Sequence, residues 1–216
     1  MKADKASLLL YAVTDRTWLG SGSIAGQVEL AVRSGVTFVQ LREKQLPFEL
    51  FLEQAAEVKK VTDRYGVPFV INDNVEVALA CGADGVHVGQ SDMEAGDVRR
   101  LIGSGKILGV SAQTVEQAVF AERNGADYLG VGAVFSTATK QDADMVAFDT
   151  LKDICAAVSI PVVAIGGIGK ENVLSLAGSG VAGIAVVSAI FAQRDIPAAA
   201  KELRRLAGIM TGEDKG

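Results

Sequence analysis

AERNGADYLGVGAV, residues 121–134, reads as the end of a helix, a glycine, one or two small residues and then an apolar strand. The same phrase returns as AVRSGVTFVQLR from Ala31, ALACGADGVHVGQ from Ala78 and LAGSGVAGIAVVSA from Leu176. Between neighbouring copies lies room for one further strand and helix, so the unit is βαβα and four units give eight strands. Eight parallel strands alternating with helices can close into a single-domain (β/α)8 TIM barrel, an α/β fold whose chemistry sits at the carboxyl ends of the strands.

The remaining strands fall into place around that phrase. Short β-rich runs bounded by glycine, proline or polar residues predict strands near 8–14, 37–43, 68–73, 85–90, 107–112, 128–135, 161–166 and 183–190. The segments between them, including PFELFLEQAAEVKKVTDRYG and TVEQAVFAERNG, carry helical periodicity, with Gly66 and Gly125 as C-terminal stops. A last helix runs from about Ile196 to Met210, and residues 211–216 read as a flexible tail of the one domain, 1–216.

Composition narrows the class of function. The chain has 216 residues, 49% of them hydrophobic, and 24 glycines scattered at element ends, as buried parallel strands joined by tight turns require. Its net charge of −5 argues against a nucleic-acid surface but leaves room for a local cationic cluster facing a small anion. The apolar run in MKADKASLLLYAVTD ends at Asp15, too short for a signal peptide or a membrane span. A cytoplasmic protein without membrane or nucleic-acid partners is expected, and a homo-oligomer is left open. Cys81 and Cys155 lie in predicted helices without the spacing of a disulfide or a zinc site.

The second predicted strand, TFVQLREK, gathers the charge. Val39 and Leu41 share one face, so Gln40, Arg42 and Lys44 share the other, toward the barrel interior and its mouth. Two adjacent cations turned inward are costly without an anion, and Arg grips phosphate oxygens bidentately, so this strand end suits a polyanionic ligand. Asn72 and Asp73 end the third strand and Asp92 follows the fourth. Carboxylates from consecutive loops can share one cation, for which magnesium is the natural candidate, although Asp92 or Ser91 could equally cap a helix.

Ser111 ends the fifth strand, and the loop after the sixth offers Thr137, Thr139 and Lys140 as a second contact zone for phosphate oxygens or a heteroatom-rich ring. On the seventh and eighth strands AIGGI and VVSA supply Gly166, Gly167, Val187 and Ser188, a place where barrels bind phosphate through backbone amides. The long polar loops TDRTWLGSGS and STATKQDADMVAF are candidate lids, with Trp18 either a ligand cap or a cover for the barrel rim. The single histidine, His87, reads as a structural residue within the fourth strand. Ser/His/Asp, P-loop, dinucleotide and HExxH signatures are absent.

With YAVTDR, QLREK, IND, GVHVGQSDM, GVSAQT, the TxTK loop, AIGGI and VVSAI all in order, the chain resembles thiamine phosphate synthases from about Tyr11 to Phe191. The resemblance implies a magnesium-dependent barrel joining hydroxymethylpyrimidine diphosphate to thiazole phosphate with release of pyrophosphate. It further implies that Gln40 contacts the pyrimidine, that Arg42, Lys44, Asn72 and Lys140 hold the diphosphate, and that Asp73 and Asp92 ligate magnesium. Ser111, Thr137 and Thr139 would line the reaction zone, with Arg42, Lys44, Ser111 and Lys140 as the catalytic set. The second phosphate would rest near Gly167, Val187 and Ser188. Gln113, where the family often has histidine, and Ser136, where it often has proline, depart from the pattern and bear on loop geometry. A related thiazole tautomerase and a non-catalytic phosphate-binding barrel are the rival readings; neither has use for both carboxylates and the second-strand cations.

Overall fold

In the computed structural model, which describes residues 3–20, 22–136 and 145–213, Gly35, Gly82, Gly125 and Gly180 hold the same place in the four repeated phrases. All four have positive φ, of 109°, 71°, 89° and 92°. Turning out of a helix into a strand within so few residues needs the left-handed region, which only glycine enters without a steric cost. The repeat is therefore written first in the backbone.

Two residues after each of these glycines the chain is fastened to the preceding odd-numbered strand. The N–H groups of Thr37, Asp84, Asp127 and Ala182 donate to the carbonyls of Leu10, Phe69, Leu108 and Val162 at 2.7–2.9 Å. Three of these residues also reciprocate with a side chain. Thr37 Oγ1 accepts from the Leu10 N–H at 2.9 Å, Asp84 Oδ2 from Phe69 at 2.9 Å and Asp127 Oδ2 from Leu108 at 2.8 Å. Asp127 also receives the Arg99 guanidinium at 2.5 Å. Asp127→Ala strands the Leu108 N–H and takes the carboxylate from Arg99, which keeps the Gly125 carbonyl at 2.8 Å, and is expected to cost about 1–3 kcal/mol in a urea melt, with Asp127→Asn recovering part of it.

The strands are β1 (Leu10–Val13), β2 (Phe38–Leu41), β3 (Phe69–Asn72), β4 (Gly85–Val88), β5 (Ile107–Ala112), β6 (Tyr128–Val131), β7 (Val162–Ile165) and β8 (Gly183–Val186). They pair in parallel, each with its neighbour in sequence, and β8 returns to β1 to close the barrel. Every strand lies within its expected span. The sixth and eighth are the most shortened, each by four residues, the eighth because the chain turns at Val187 into the short helix α7 (Ser188–Phe191).

Outside the barrel run α1 (Ile24–Val32), α2 (Phe48–Tyr65), α3 (Val75–Ala80), α4 (Ala95–Ile102), α5 (Val115–Arg123), α6 (Phe148–Ala157) and, after α7, α8 (Ile196–Thr211). After β7 the place of a helix is taken by a 3₁₀ turn, Val173–Leu176. The long α2 shows how the shell is seated. Phe51, Ala55, Val58 and Thr62, spaced four, three and four residues apart, are buried, and Gly66 ends the helix at φ 66°. Among the described residues no helix is long and apolar enough to cross a membrane.

Strand alternation divides the core. Outward-facing Val39, Leu41, Ile71, Val86, Leu129 and Ile184 pack under the helices. Inward-facing Tyr11, Val13, Phe38, Val70, Tyr128 and Val163 fill the barrel. The interior is plugged low down by aromatic rings, Tyr11 against Phe38 at 4.6 Å and Phe38 against Tyr128 at 5.5 Å between centroids. Above that plug, at the carboxyl ends, the barrel is open.

Candidate active site

The opening is a cavity of about 440 Å³ whose walls include Gln40, Arg42, Lys44, Asn72, Asp73, Asp92, Ser111, Gly167, Val187 and Ser188. The alternation read in β2 brings its polar residues here. Val39 and Leu41 are fully buried toward the shell, whereas Gln40 and the two cations after it line the cavity. The loop after β1 holds Arg42 in place. Its backbone N–H donates to Thr14 Oγ1 at 3.1 Å, and its guanidinium lies 3.9 Å from Asp15 Oδ2.

Asn72 closes β3, and Asp73 follows with φ 62°, a left-handed conformation that a residue with a side chain adopts at a cost. It is held there by its N–H, which donates to the His87 carbonyl at 2.8 Å. Asn72 Nδ2 donates to Asp73 Oδ2 at 2.5 Å. Across from it Asp92 Oδ2 accepts the Gly89 N–H at 2.7 Å. Asp92 does not cap a helix, since α4 begins at Ala95 behind Glu94.

Asp73 and Asp92 come within hydrogen-bonding reach of each other. Burial, and then the facing Asp92, push the Asp73 carboxyl up to about 6, against the pull of Asn72 and Arg42. Two carboxylates that repel in a half-buried site, with hard oxygen donors and a guanidinium nearby, fit a divalent cation that shares its remaining coordination with water and a diphosphate. Among the described residues no group of three or more His, Cys, Asp or Glu converges on a metal position.

On the far wall the backbone itself approaches the cavity. Gly167 has φ 65°, and a Cβ there would stand 2.4 Å from the Ser136 carbonyl oxygen, so only glycine fits. Val187 and Ser188 lie beside it at the start of α7. This arc of β7 and β8 faces the arc of β3 and β4 across the closed barrel. Thr137, Thr139 and Lys140 lie outside the described residues. Trp18 is 41% exposed on a 3₁₀ turn and is not part of the cavity wall.

Sequence reading missed a polar chain in the floor. Gln40 Nε2 donates to Tyr11 Oη at 2.6 Å, Tyr11 Oη meets Tyr128 Oη at 2.8 Å, and Tyr128 Oη meets His87 Nδ1 at 2.9 Å. His87 Nε2 then reaches Ser111 Oγ at 3.0 Å. Gln90 Nε2 anchors the far end by donating to the Ser111 carbonyl at 2.7 Å. Parity could have found this chain, since Tyr11, Gln40, His87, Ser111 and Tyr128 all fall on inward-facing positions of their strands. Room for it comes from missing side chains. A Cβ on Gly109 would sit 2.5 Å from His87 Nδ1 and 2.4 Å from Tyr128 Oη, and one on Gly130 3.1 Å from the His87 ring.

Comparison with known proteins agrees with this arrangement. The sequence profile of the family described as thiamine monophosphate synthase matches residues 10–190. The thiamine-phosphate synthase of Ruminiclostridium cellulolyticum is 53% identical over 92% of this chain and 95% of its own length. That of Enterococcus faecalis is 48% identical over 94% and 95%. The solved structure of thiamine phosphate pyrophosphorylase from Pyrococcus furiosus superposes with a TM-score of 0.89 at 38% identity, covering 96% of this chain and 99% of that one. With profile, sequence and structure in agreement over nearly its whole length, this chain is a transferase of the thiamine monophosphate synthase family.

Proposed function

We propose that the cavity couples 4-amino-5-hydroxymethyl-2-methylpyrimidine diphosphate with thiazole phosphate, giving thiamine phosphate and pyrophosphate. The observation that carries this reading is one cavity with two anion-binding arcs, a cationic and carboxylate arc from β2 to β4 and a glycine-lined backbone arc on β7 and β8. The chain's relatives are named thiamine-phosphate synthase and thiamine phosphate pyrophosphorylase, which supports this product.

In this reading Arg42, Lys44 and Asn72 hold the diphosphate, with Lys140 joining from the sixth loop, and Asp73 and Asp92 hold Mg²⁺. Bound there, magnesium neutralises charge on the leaving pyrophosphate. Arg42 and Lys44 face the same charge as it develops, so their attraction is strongest when the C–O bond to the methylene is breaking. The electron-rich aminopyrimidine, kept in place by Gln40, stabilises the cation left on that methylene. The thiazole nitrogen, positioned through its phosphate on Gly167, Val187 and Ser188, then attacks. Positioning and electrostatics suffice, and no side chain is required as a strong base. Both substrates are polyanions that do not cross membranes unaided, which supports a cytoplasmic location.

The rivals explain less. A tautomerase needs a proton carrier, and at Gln113 this chain has a neutral amide whose Nε2 donates to the Gly132 carbonyl at 3.3 Å. A phosphate-binding barrel has no use for two carboxylates held in mutual repulsion. Mixing the two substrates should yield thiamine phosphate and pyrophosphate only when magnesium is present; turnover undiminished by a chelator would remove the metal from the mechanism. Ser188→Asp should weaken thiazole phosphate binding at least about tenfold while leaving the pyrimidine diphosphate within about twofold, because the new charge meets only the β7–β8 arc. Equal losses for both ligands in titration calorimetry would show that the two arcs are not separate sites.

A further inference from the structure

We propose that Tyr11, Tyr128 and His87 are positioning residues whose hydrogen-bond chain runs one way, from the Gln40 amide to the Ser111 hydroxyl, and thereby selects an amino over an oxo pyrimidine. The specificity part rests on the pyrimidine reading above; the direction of the chain rests on the geometry alone.

The direction follows from counting hydrogens. Burial, foremost, pushes both phenols above the ordinary tyrosine range, so each keeps its single O–H hydrogen. Tyr11 Oη accepts from Gln40 Nε2 and meets Tyr128 Oη, and no third partner reaches it among the described residues. Its own hydrogen must therefore go to Tyr128, and the Tyr128 hydrogen goes on to His87 Nδ1. A ring nitrogen that accepts carries no proton, so the imidazole proton sits on Nε2 and is donated to Ser111 Oγ. The Ser111 hydrogen is left free to turn into the cavity.

The amide end has a matching consequence. One N–H of the Gln40 amide goes to Tyr11, which fixes the amide with Oε1 turned away from the phenol, where no protein donor reaches it among the described residues. Gln40 lines the cavity, so that oxygen is an acceptor aimed at the ligand. A ring with an exocyclic amino group supplies the donor it needs. A ring with an oxo group facing Oε1 sets acceptor against acceptor, a clash that turning the amide over removes. Turning it over makes Tyr11 a donor to Gln40, which reverses Tyr128, moves the histidine proton to Nδ1 and makes Ser111 the donor to Nε2. Substrate choice at Gln40 is in this way tied to the tautomer of a histidine two strands away, on β4. The empty positions at Gly109 and Gly130 are what allow the middle of the chain to exist.

Two measurements test this. The chain has a single histidine, so ¹⁵N-histidine labelling gives one imidazole whose tautomer can be read directly by NMR in the ligand-free protein at neutral pH. The expected state carries its proton on Nε2; a proton on Nδ1, or on both nitrogens, overturns the direction. Separately, Tyr128→Phe deletes the central hydroxyl while keeping its ring against Phe38 and Tyr11. The ratio of kcat/KM for the 4-amino over the 4-oxo pyrimidine diphosphate should fall at least about tenfold, with the KM for thiazole phosphate unchanged. A folded Tyr128→Phe enzyme with the wild-type ratio overturns the specificity claim. Should Tyr128→Phe fail to fold, Tyr11→Phe cuts the chain one step nearer Gln40 and carries the same expectation. Wild-type protein that makes no thiamine phosphate from the natural pair refutes the activity, and the tautomer measurement still decides the chain.

Discussion

Asp73→Asn should lower magnesium-dependent turnover by about 10²–10³-fold and yet make the metal-free protein more stable at neutral pH. The first effect follows, in the proposed reading, from losing one of the two carboxylates assigned to the cation, together with its charge opposite the diphosphate. The second follows from the sign of the linkage. Asp73 in the folded protein titrates at about 6, above its ordinary value of 3.8, so between these limits the native state holds more protons than the unfolded chain. Stability therefore falls as pH rises through that window, and above it the full penalty of the facing carboxylates remains. Asparagine removes the charge and also tolerates the left-handed backbone at φ 62°. Thermal melts in chelator should show a gain of about 2–4 °C at pH 8 that disappears by pH 4, for a penalty discounted by partial exposure to the order of 1 kcal/mol. A variant less stable than wild type at pH 8, or one that keeps full activity at limiting magnesium, would contradict the pairing of Asp73 with Asp92.

Arg42→Ala should be nearly as damaging, and for two reasons at once. It removes the bidentate donor proposed for the diphosphate, and it leaves Asp15, 3.9 Å from the guanidinium, without that cationic partner. Loss of kcat/KM for the pyrimidine diphosphate by about 10²–10³-fold is expected, spread over both kcat and KM because the contact exists before and during bond breaking. Adding Asp15→Asn should restore roughly tenfold by removing the stranded charge. Were the double variant no better than Arg42→Ala, Asp15 would be a bystander, and the positioning of Arg42 would have to come from its backbone bond to Thr14 alone.

The barrel and most of its mouth were readable because two periodicities do the positioning. Helix-glycine-strand phrases give the count of eight, and alternation along β2 is enough to put Gln40, Arg42 and Lys44 on one face. What stayed hidden depends on groups from distant strands meeting. Tyr11 and Tyr128 are 117 residues apart, and nothing local marks either as more than a core aromatic. His87 reads as a structural, hydrogen-bonded residue, but its partners Tyr128 and Ser111 and its place in the cavity wall come from other strands. Asp92 reads from sequence as either cap or ligand, and only the start of α4 three residues later, behind Glu94, removes the cap. The 3₁₀ turn after β7 escaped for a different reason, since the sequence there carries no strong period to replace the missing helix.

A chain leaving the ribosome would meet its clamps in order. Leu10 is fastened by Thr37 after 27 residues, Phe69 by Asp84 after 15, and Leu108 by Asp127 after 19. Each closure is short and so costs little chain entropy, which lets strands be secured two at a time while synthesis continues. The seam is different. The Ile184 N–H donates to the Leu9 carbonyl at 3.1 Å, a contact that must wait for almost the entire polypeptide. Until β8 arrives, the growing sheet carries β1 as an apolar open edge, the state in which a nascent barrel of this kind is most exposed to aggregation and most in need of a chaperone.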